Sequence, residues 1–177
     1  MNYSIIDSGN GRSFPAAHPL LDGQSADGEV VIVLGTAQAA ALAGIPNRDA
    51  KAAILVELGT ESLGVHTGES RGTEGSNVLG FARFRLGDGE PSNLIELVRQ
   101  PQTPQSVLDA ARQVLEGAGF KVAVCFDFQG RIIDRLVRPY YNAALRRLDE
   151  GLASADDMDL TLRLGLGYPE GPIALLE

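Results

Sequence analysis

Short apolar runs separated by glycine, proline and polar residues dominate residues 29–127. The five main runs predict buried strands of a largely parallel sheet, over residues 30–34, 53–58, 79–86, 94–99 and 120–126. An alanine-rich segment that ends at Gly44 predicts a short helix after the first run. A longer helix is predicted over 104–116, with Thr103 as its N-cap. Strands that alternate with helices indicate an α/β fold.

After Gly130 the apolar positions change to the spacing of a helix, which continues to Gly151. Pro139 lies inside this helix and is expected to kink it. Ser154, followed by Asp157, resembles a capping box for a second helix over 155–164, and a last short helix follows from residue 172. The pattern therefore predicts a helical domain over residues 128–177.

The N-terminal residues 1–28 are rich in Gly, Ser, Asp and Pro and have little periodicity. We predict an irregular arm with one short extended piece at residues 3–6. The expected organisation is an arm (1–28), an α/β domain (29–127) and a helical domain (128–177).

The chain is acidic, with 15 Lys and Arg against 23 Asp and Glu and a formal net charge of −8. This charge argues against sequence-independent nucleic-acid binding and against anionic membrane surfaces. No apolar run approaches the roughly 18 residues of a membrane-spanning helix, and no secretory signal pattern is present. The single cysteine, Cys125, excludes an intrachain disulfide, so a cytoplasmic location is expected.

Few other residues suggest chemistry on their own. His18 and His66 have no Cys or second His at ligand spacing, so no metal site is expected. Acidic residues 156, 157 and 159 open a predicted helix, where capping explains them better than cation binding. Tyr140 and Tyr141 could line an acyl pocket, but their helical phase favours packing.

The C-terminal segment GRIIDRLVRPYYNAALRRLDEGLASADDMDLTLRLGLGYPEGPIALLE resembles the C-terminal domain of the 3-hydroxyacyl-CoA (3-hydroxybutyryl-CoA) dehydrogenases. The patterns that carry the resemblance are G-F-I-x-N-R, E-G-x-A-S-x-x-D-I-D and G-x-G-x-P-x-G-P, in that order. It extends backwards through LIELVRQPQT, GFARF and GTESL, to about residue 53. The resemblance implies a truncated Rossmann-like sheet, followed by a truncated all-α dehydrogenase-type helical domain.

The catalytic positions implied by this resemblance are altered. The family removes the proton of the 3-hydroxyl with a His that a Glu orients, and these positions hold Ala82 and Glu96. A methyl group cannot accept a proton, so Glu96 has no base left to orient. The family's active-site Asn corresponds to Asp134. Its serine that holds substrate and cofactor corresponds to Glu61, with Ser62 matching the next serine.

Two arginines are the candidate cations near these positions. Arg85 corresponds to the Asn of the family's H-F-F-N motif, and Arg83 shares its face if both lie in one strand. A solvated or ion-paired surface is the expected role of both, and a CoA phosphate is the alternative ligand. Either could also neutralise Glu61 and Asp134.

The resemblance implies NAD as the family's cofactor, yet the expected binding motif is incomplete. The fingerprint G-x-G-x-x-G should follow the first strand, and the stretch 35–40 retains only Gly35. The α/β part looks like the reduced Rossmann module in the C-terminal half of long 3-hydroxybutyryl-CoA dehydrogenases associated with phenylacetate degradation. We therefore expect the isolated chain to bind no cofactor.

Three functions remain open from the sequence. The chain is interpreted first as a degenerate family member, a pseudoenzyme of fatty-acid or phenylacetate-type degradation that acts as a dimerising or structural module. The second hypothesis is part of an active NAD-dependent enzyme whose cofactor-binding half lies on another chain or segment. The third is an acyl-CoA or nucleotide-binding module. The short helical domain would leave apolar faces uncovered, so a homodimer is expected.

Overall fold

A six-stranded sheet forms the centre of the N-terminal part of the chain. The computed structural model describes residues 1–85 and 89–176, and contacts divide the chain into Met1–Arg131 and Ile132–Glu177. Within the first unit the strands are β1 (Tyr3–Asp7), β2 (Val30–Leu34), β3 (Ala53–Glu57), β4 (Val78–Arg83), β5 (Leu94–Arg99) and β6 (Lys121–Phe126).

The strands follow one another across the sheet in the order β1-β2-β3-β4-β5-β6. All neighbours are parallel except β4 and β5, which are antiparallel. The predicted α/β class is confirmed. The run predicted as a strand over 79–86 is a strand only to Arg83, and Leu86 lies outside the described residues.

Helices cover both faces of the sheet, which explains why its central strands are apolar throughout. The helices of this unit are α1 (Pro19–Asp22), α2 (Gln38–Ala43), α3 (Gly64–Thr67) and α4 (Gln105–Gly117). Apolar residues of α4 pack with Leu20 on one face, and Leu42 and Leu63 pack on the other. The predicted cap of α4 is wrong: Pro104 is the N-cap residue, and the Thr103 hydroxyl accepts the N–H of Gln100 instead.

The extended piece predicted at residues 3–6 is strand β1, so the segment 1–28 contributes an edge strand to the sheet. β1 pairs with β2 along its whole length, from Tyr3 opposite Val30 to Asp7 opposite Leu34. It is an edge strand that is only half-buried, so its sequence lacks the continuous apolar run of the strands inside the sheet.

The C-terminal unit consists of helices and turns. α5 (Arg131–Asp149) contains Pro139, and α6 (Ala155–Leu166) is followed by a 3₁₀ turn at Ala174–Leu176. The predicted cap of α6 is confirmed, because the Ser154 hydroxyl accepts the N–H of Asp157. The Asp159 carboxylate accepts the N–H groups of Ile173 and Ala174, which joins the 3₁₀ turn to α6. No helix within residues 1–85 and 89–176 is long and apolar enough to cross a membrane.

Candidate functional site

The antiparallel pair β4–β5 places Ala82 directly opposite Glu96. Both residues are buried, at 4% exposure each. Side chains at directly opposed positions of an antiparallel pair have Cβ atoms about 4.5–5.5 Å apart, on the same face of the sheet. A base at position 82 would therefore lie beside the Glu96 carboxylate, but the methyl group of Ala82 has no proton-accepting atom.

Glu96 is paired with Arg131, a residue that the sequence analysis did not select. The Nε of Arg131 donates to Oε2 of Glu96 at 3.2 Å, and its Nη2 donates to the carbonyl of Gly59 at 2.8 Å. Both side chains are more than nine-tenths buried. The expectation that Glu96 would be left without a side chain to hold is therefore corrected. Arg131 stands at the Phe position of the G-F-I-x-N-R pattern, which was the available signal.

The turn after β3 holds the predicted positions Glu61 and Ser62. The Glu61 carboxylate accepts the N–H of Gly59 at 3.1 Å and lies 3.4 Å from Nε2 of His66. Burial alone would raise the pKa of Glu61, but backbone N–H groups and His66 together lower it. Because Gly59 also binds Arg131, one turn links Glu61 to the Glu96–Arg131 pair.

Asp127 is a second carboxylate that the sequence analysis missed. Its two oxygens accept the N–H groups of Leu63 and Gly64, each at 2.7 Å. Asp127 directly follows β6, and its two partners stand at the beginning of α3. The carboxylate therefore fixes the turn that carries Glu61 and Ser62 against the end of the sheet.

Arg83 stabilises the fold rather than presenting a cation to a ligand. Its guanidinium donates to the carbonyls of Ser92, Ser13 and Pro91, and it lies over the rings of two phenylalanines, Phe14 and Phe120. Burial lowers the pKa of Arg83.

Arg85 follows the end of β4, so the two arginines do not lie in one strand, and the condition for a shared strand face is not met. The Nε of Arg85 donates to the carbonyl of Gly89.

Asp134 belongs to the helical unit. It lies in the first turn of α5, and its carboxylate is 3.5 Å from Nη2 of Arg138, one helical turn later. Arg138 is therefore the cation beside Asp134, and Glu61 lies beside the ring of His66.

The glycine turn of a dinucleotide site follows the first strand of the sheet, which here is β1. Gly9 and Gly11 have the spacing of the first two glycines, and Phe14 occupies the position of the third. The predicted remnant Gly35 instead follows β2, so that assignment is corrected. The helix that follows this turn along the chain, α1, begins only at Pro19, so it does not start directly from the glycine turn as a dinucleotide fold requires. These residues do not fit NAD.

The remaining candidates have structural surroundings. Burial raises the pKa of Cys125 to about 11, with Glu96 adding to the effect, as suits an inert thiol. His18 caps α1 and stacks on Phe120. Among the described residues, no three His, Cys, Asp or Glu side chains are grouped to hold a metal ion.

The helical unit contains an open cavity of about 460 Å³. Its walls are mainly apolar and include the rings of Tyr140, Tyr141 and Tyr168. The hydroxyl of Tyr140 is buried without a hydrogen-bond partner among the described residues, and burial raises the pKa of this phenol. Both tyrosines considered for an acyl pocket therefore border a cavity as well as packing on each other.

Comparisons with known proteins point to one family. A family model described as 3-hydroxyacyl-CoA dehydrogenase, C-terminal domain, matches residues 130–177. The mitochondrial hydroxyacyl-coenzyme A dehydrogenase of Sus scrofa is 38% identical over 84 residues, which are 48% of this chain and 27% of that protein. The 3-hydroxybutyryl-CoA dehydrogenase of Bradyrhizobium diazoefficiens is 32% identical over 84 residues, 48% of this chain and 29% of its own. The chain thus spans under a third of the length of these relatives.

Solved structures agree over more of the chain. The crystal structure of 3-hydroxybutyryl-CoA dehydrogenase from Escherichia coli matches 85% of this chain and 32% of its own, with a TM-score of 0.68 and 25% identity. The (S)-3-hydroxybutyryl-CoA dehydrogenase of Ralstonia eutropha matches 84% of this chain and 53% of its own, with a TM-score of 0.64 and 23% identity, and so shows likeness of fold.

Proposed function

Because the chain belongs, over its matched part, to the 3-hydroxyacyl-CoA dehydrogenase family, we propose that it is a catalytically degenerate member. On its own it does not oxidise 3-hydroxyacyl-CoA. It serves as a dimerising or structural module in acyl-CoA degradation, in a reducing cytoplasm.

The buried Glu96–Arg131 pair opposite Ala82 carries this proposal. Oxidation of a 3-hydroxyl requires a group that accepts its proton. Ala82 offers none, and a guanidinium has no acceptor atom and stays protonated in proteins. Arg131 also compensates the charge of Glu96, which the loss of a histidine would otherwise leave buried and unpaired. Ala82 thus removes the base, and Arg131 keeps the buried Glu96 paired, so that the fold stays stable.

A dehydrogenase assay tests the proposal. The purified chain is mixed with 3-hydroxybutyryl-CoA and NAD, and NADH is followed by its absorbance, beside an intact family enzyme. We expect no NADH above the rate without protein. Turnover of a few per second by the chain would refute the proposal, provided that the rate falls in an Ala82→Phe variant. A rate unchanged in that variant would come from a contaminating enzyme.

A second candidate function is part of an active NAD-dependent dehydrogenase whose cofactor-binding half lies elsewhere. It is favoured by the Escherichia coli match, in which 85% of this chain corresponds to only 32% of a longer enzyme. An immunoblot of source cells with an antibody against the chain tests it. A band well above 18.7 kDa supports the longer enzyme, whereas a band at that mass contradicts a single polypeptide. A separate partner chain would instead co-purify and restore NADH formation.

We also propose a homodimer through the helical unit. Exposed leucines support it: Leu164 on α6 is 77% exposed, and Leu136 on α5 is 70% exposed. Along α6 no residue is buried, although the helix carries several leucines. Apolar helix faces of this kind mark surfaces that associate with another chain.

A further inference from the structure

We propose that the carboxylate of Glu57 is a built-in anion, which occupies the phosphate-binding turn of the sheet and closes it to dinucleotides. Glu57 is the last residue of β3 and is only 4% exposed. The carboxyl ends of parallel strands are where α/β sheets bind phosphates, through backbone N–H groups of the turns that follow. A buried acid at this edge therefore competes for the same donors.

Two turns donate to this carboxylate. Ser13, in the turn after β1, donates its N–H to Oε1 at 2.6 Å, and Gly35, after β2, donates its N–H to Oε2 at 2.8 Å. All three residues are buried. The side chain of Gln38 donates to the backbone carbonyl of Glu57 at 3.0 Å, which also holds this residue in place. One carboxylate oxygen thus accepts from Ser13, which lies within the glycine turn after β1, and the other accepts from the turn after β2 that packs against it.

The Glu57 carboxylate also fills the space in which a pyrophosphate would lie. The second glycine of the fingerprint allows the pyrophosphate to approach the backbone closely. Here that position is Gly11, and a Cβ added to it would lie 2.6 Å from Oε2 of Glu57. A Cβ added to Gly35 would lie 2.2 Å from the carbonyl oxygen of Gly9. The two turns therefore pack against each other, with the carboxylate between them.

The next two backbone N–H groups after Gly35 also donate to acceptors within the chain. Thr36 donates its N–H to the Gly9 carbonyl at 3.2 Å, and Ala37 donates to the hydroxyl of Ser8 at 3.1 Å. The cavity beside them is about 240 Å³ and is lined by Asp7 and Glu57. Two carboxylates at its wall repel a diphosphate.

This inference goes beyond the proposed function, because loss of the base at position 82 does not by itself prevent NAD binding. NMR titration of the ¹⁵N-labelled full chain tests it directly, with the amide signals of Ser13 and Gly35 as the readout. We expect no saturable shift of either signal with NAD at millimolar concentration. A saturable shift at Gly35 or Ser13 in the unaltered chain would overturn the inference, even if the dehydrogenase assay stayed negative.

Variants that remove the Glu57 carboxylate provide the second part of the experiment. In Glu57→Ala the two N–H groups are released, so inorganic phosphate should shift both amide signals saturably and raise the melting midpoint. Glu57→Gln keeps the shape and serves if the alanine variant fails to fold; it should respond to phosphate more than the unaltered chain. Asp7→Asn is the matched control, because it removes a charge from the same cavity without releasing Gly35. If phosphate affects the Glu57 variants no more than Asp7→Asn, the inference is wrong.

Discussion

At the scale of single residues, Ala82 and Arg131 define the surroundings of the Glu96 carboxylate. The methyl group of Ala82 offers no proton acceptor beside Glu96, and the guanidinium of Arg131 supplies the positive charge that the buried carboxylate requires. Burying a lone carboxylate is costly, so the pair with Arg131 stabilises the fold. Arg131 reaches Glu96 with a positive φ of 48° at the beginning of α5.

Arg131→Met tests this compensation. It leaves Glu96 buried without its cation, so we expect the free energy of unfolding to fall by about 3–5 kcal/mol. Glu96→Leu combined with Arg131→Met removes both charges and should recover much of that loss. Urea denaturation measures both. The control is Arg112→Met, which breaks the exposed Arg112–Glu116 pair of α4 and should change stability by less than about 1 kcal/mol. Equal losses from the two single Arg variants would contradict the argument.

At the scale of elements, carboxylates at the ends of strands tie turns to the sheet. Glu57 at the end of β3 joins the turns after β1 and β2, and Asp127 after β6 joins the beginning of α3. Asp127 satisfies N–H groups at the start of the short helix α3, and Glu57 satisfies those of two turns that have no helix to pair with. The apolar run 53–58 already places an acid at the end of a buried strand, but it does not show which N–H groups the acid binds.

Asp127→Asn is the test at this scale. Its amide oxygen can accept one of the two N–H groups, and the other then faces an amide NH₂. We expect a loss of about 2–3 kcal/mol in unfolding free energy and faster hydrogen exchange at Leu63 and Gly64. Asp109→Asn on the exposed face of α4 is the control and should change stability by less than about 0.5 kcal/mol. Unchanged exchange at Leu63 and Gly64 would show that the carboxylate does not hold this turn.

At the scale of the whole molecule, the exposed leucines predict association. Light scattering coupled to size exclusion should give twice the 18.7 kDa of the chain. Leu164→Glu places a charge on the apolar face of α6 and should produce monomers. Val65→Glu, at a 69% exposed position in α3, is the matched control and should leave the dimer intact. A monomeric unaltered chain at micromolar concentration would refute the homodimer.

The sequence alone determined the α/β class, five of the six strands and the capped helix α6, because short apolar runs and local caps depend on near neighbours. The spacing of its motifs also predicted the family that the comparisons support over part of the chain. The extended piece at residues 3–6 was also predicted, but its place at the edge of the sheet was not, since half-burial weakens the apolar pattern of a strand.

Only the tertiary structure decided which distant groups donate hydrogen bonds to each buried carboxylate. Glu96 accepts a hydrogen bond from Arg131, which is 35 positions later in the sequence. Glu57 accepts one from Ser13, which is 44 positions earlier. No local periodicity encodes such pairs, because they arise from the arrangement of the strands in the folded sheet and from the cost of leaving a buried polar group unpaired. For the same reason the sequence placed the glycine turn after β2, whereas the sheet places it after β1.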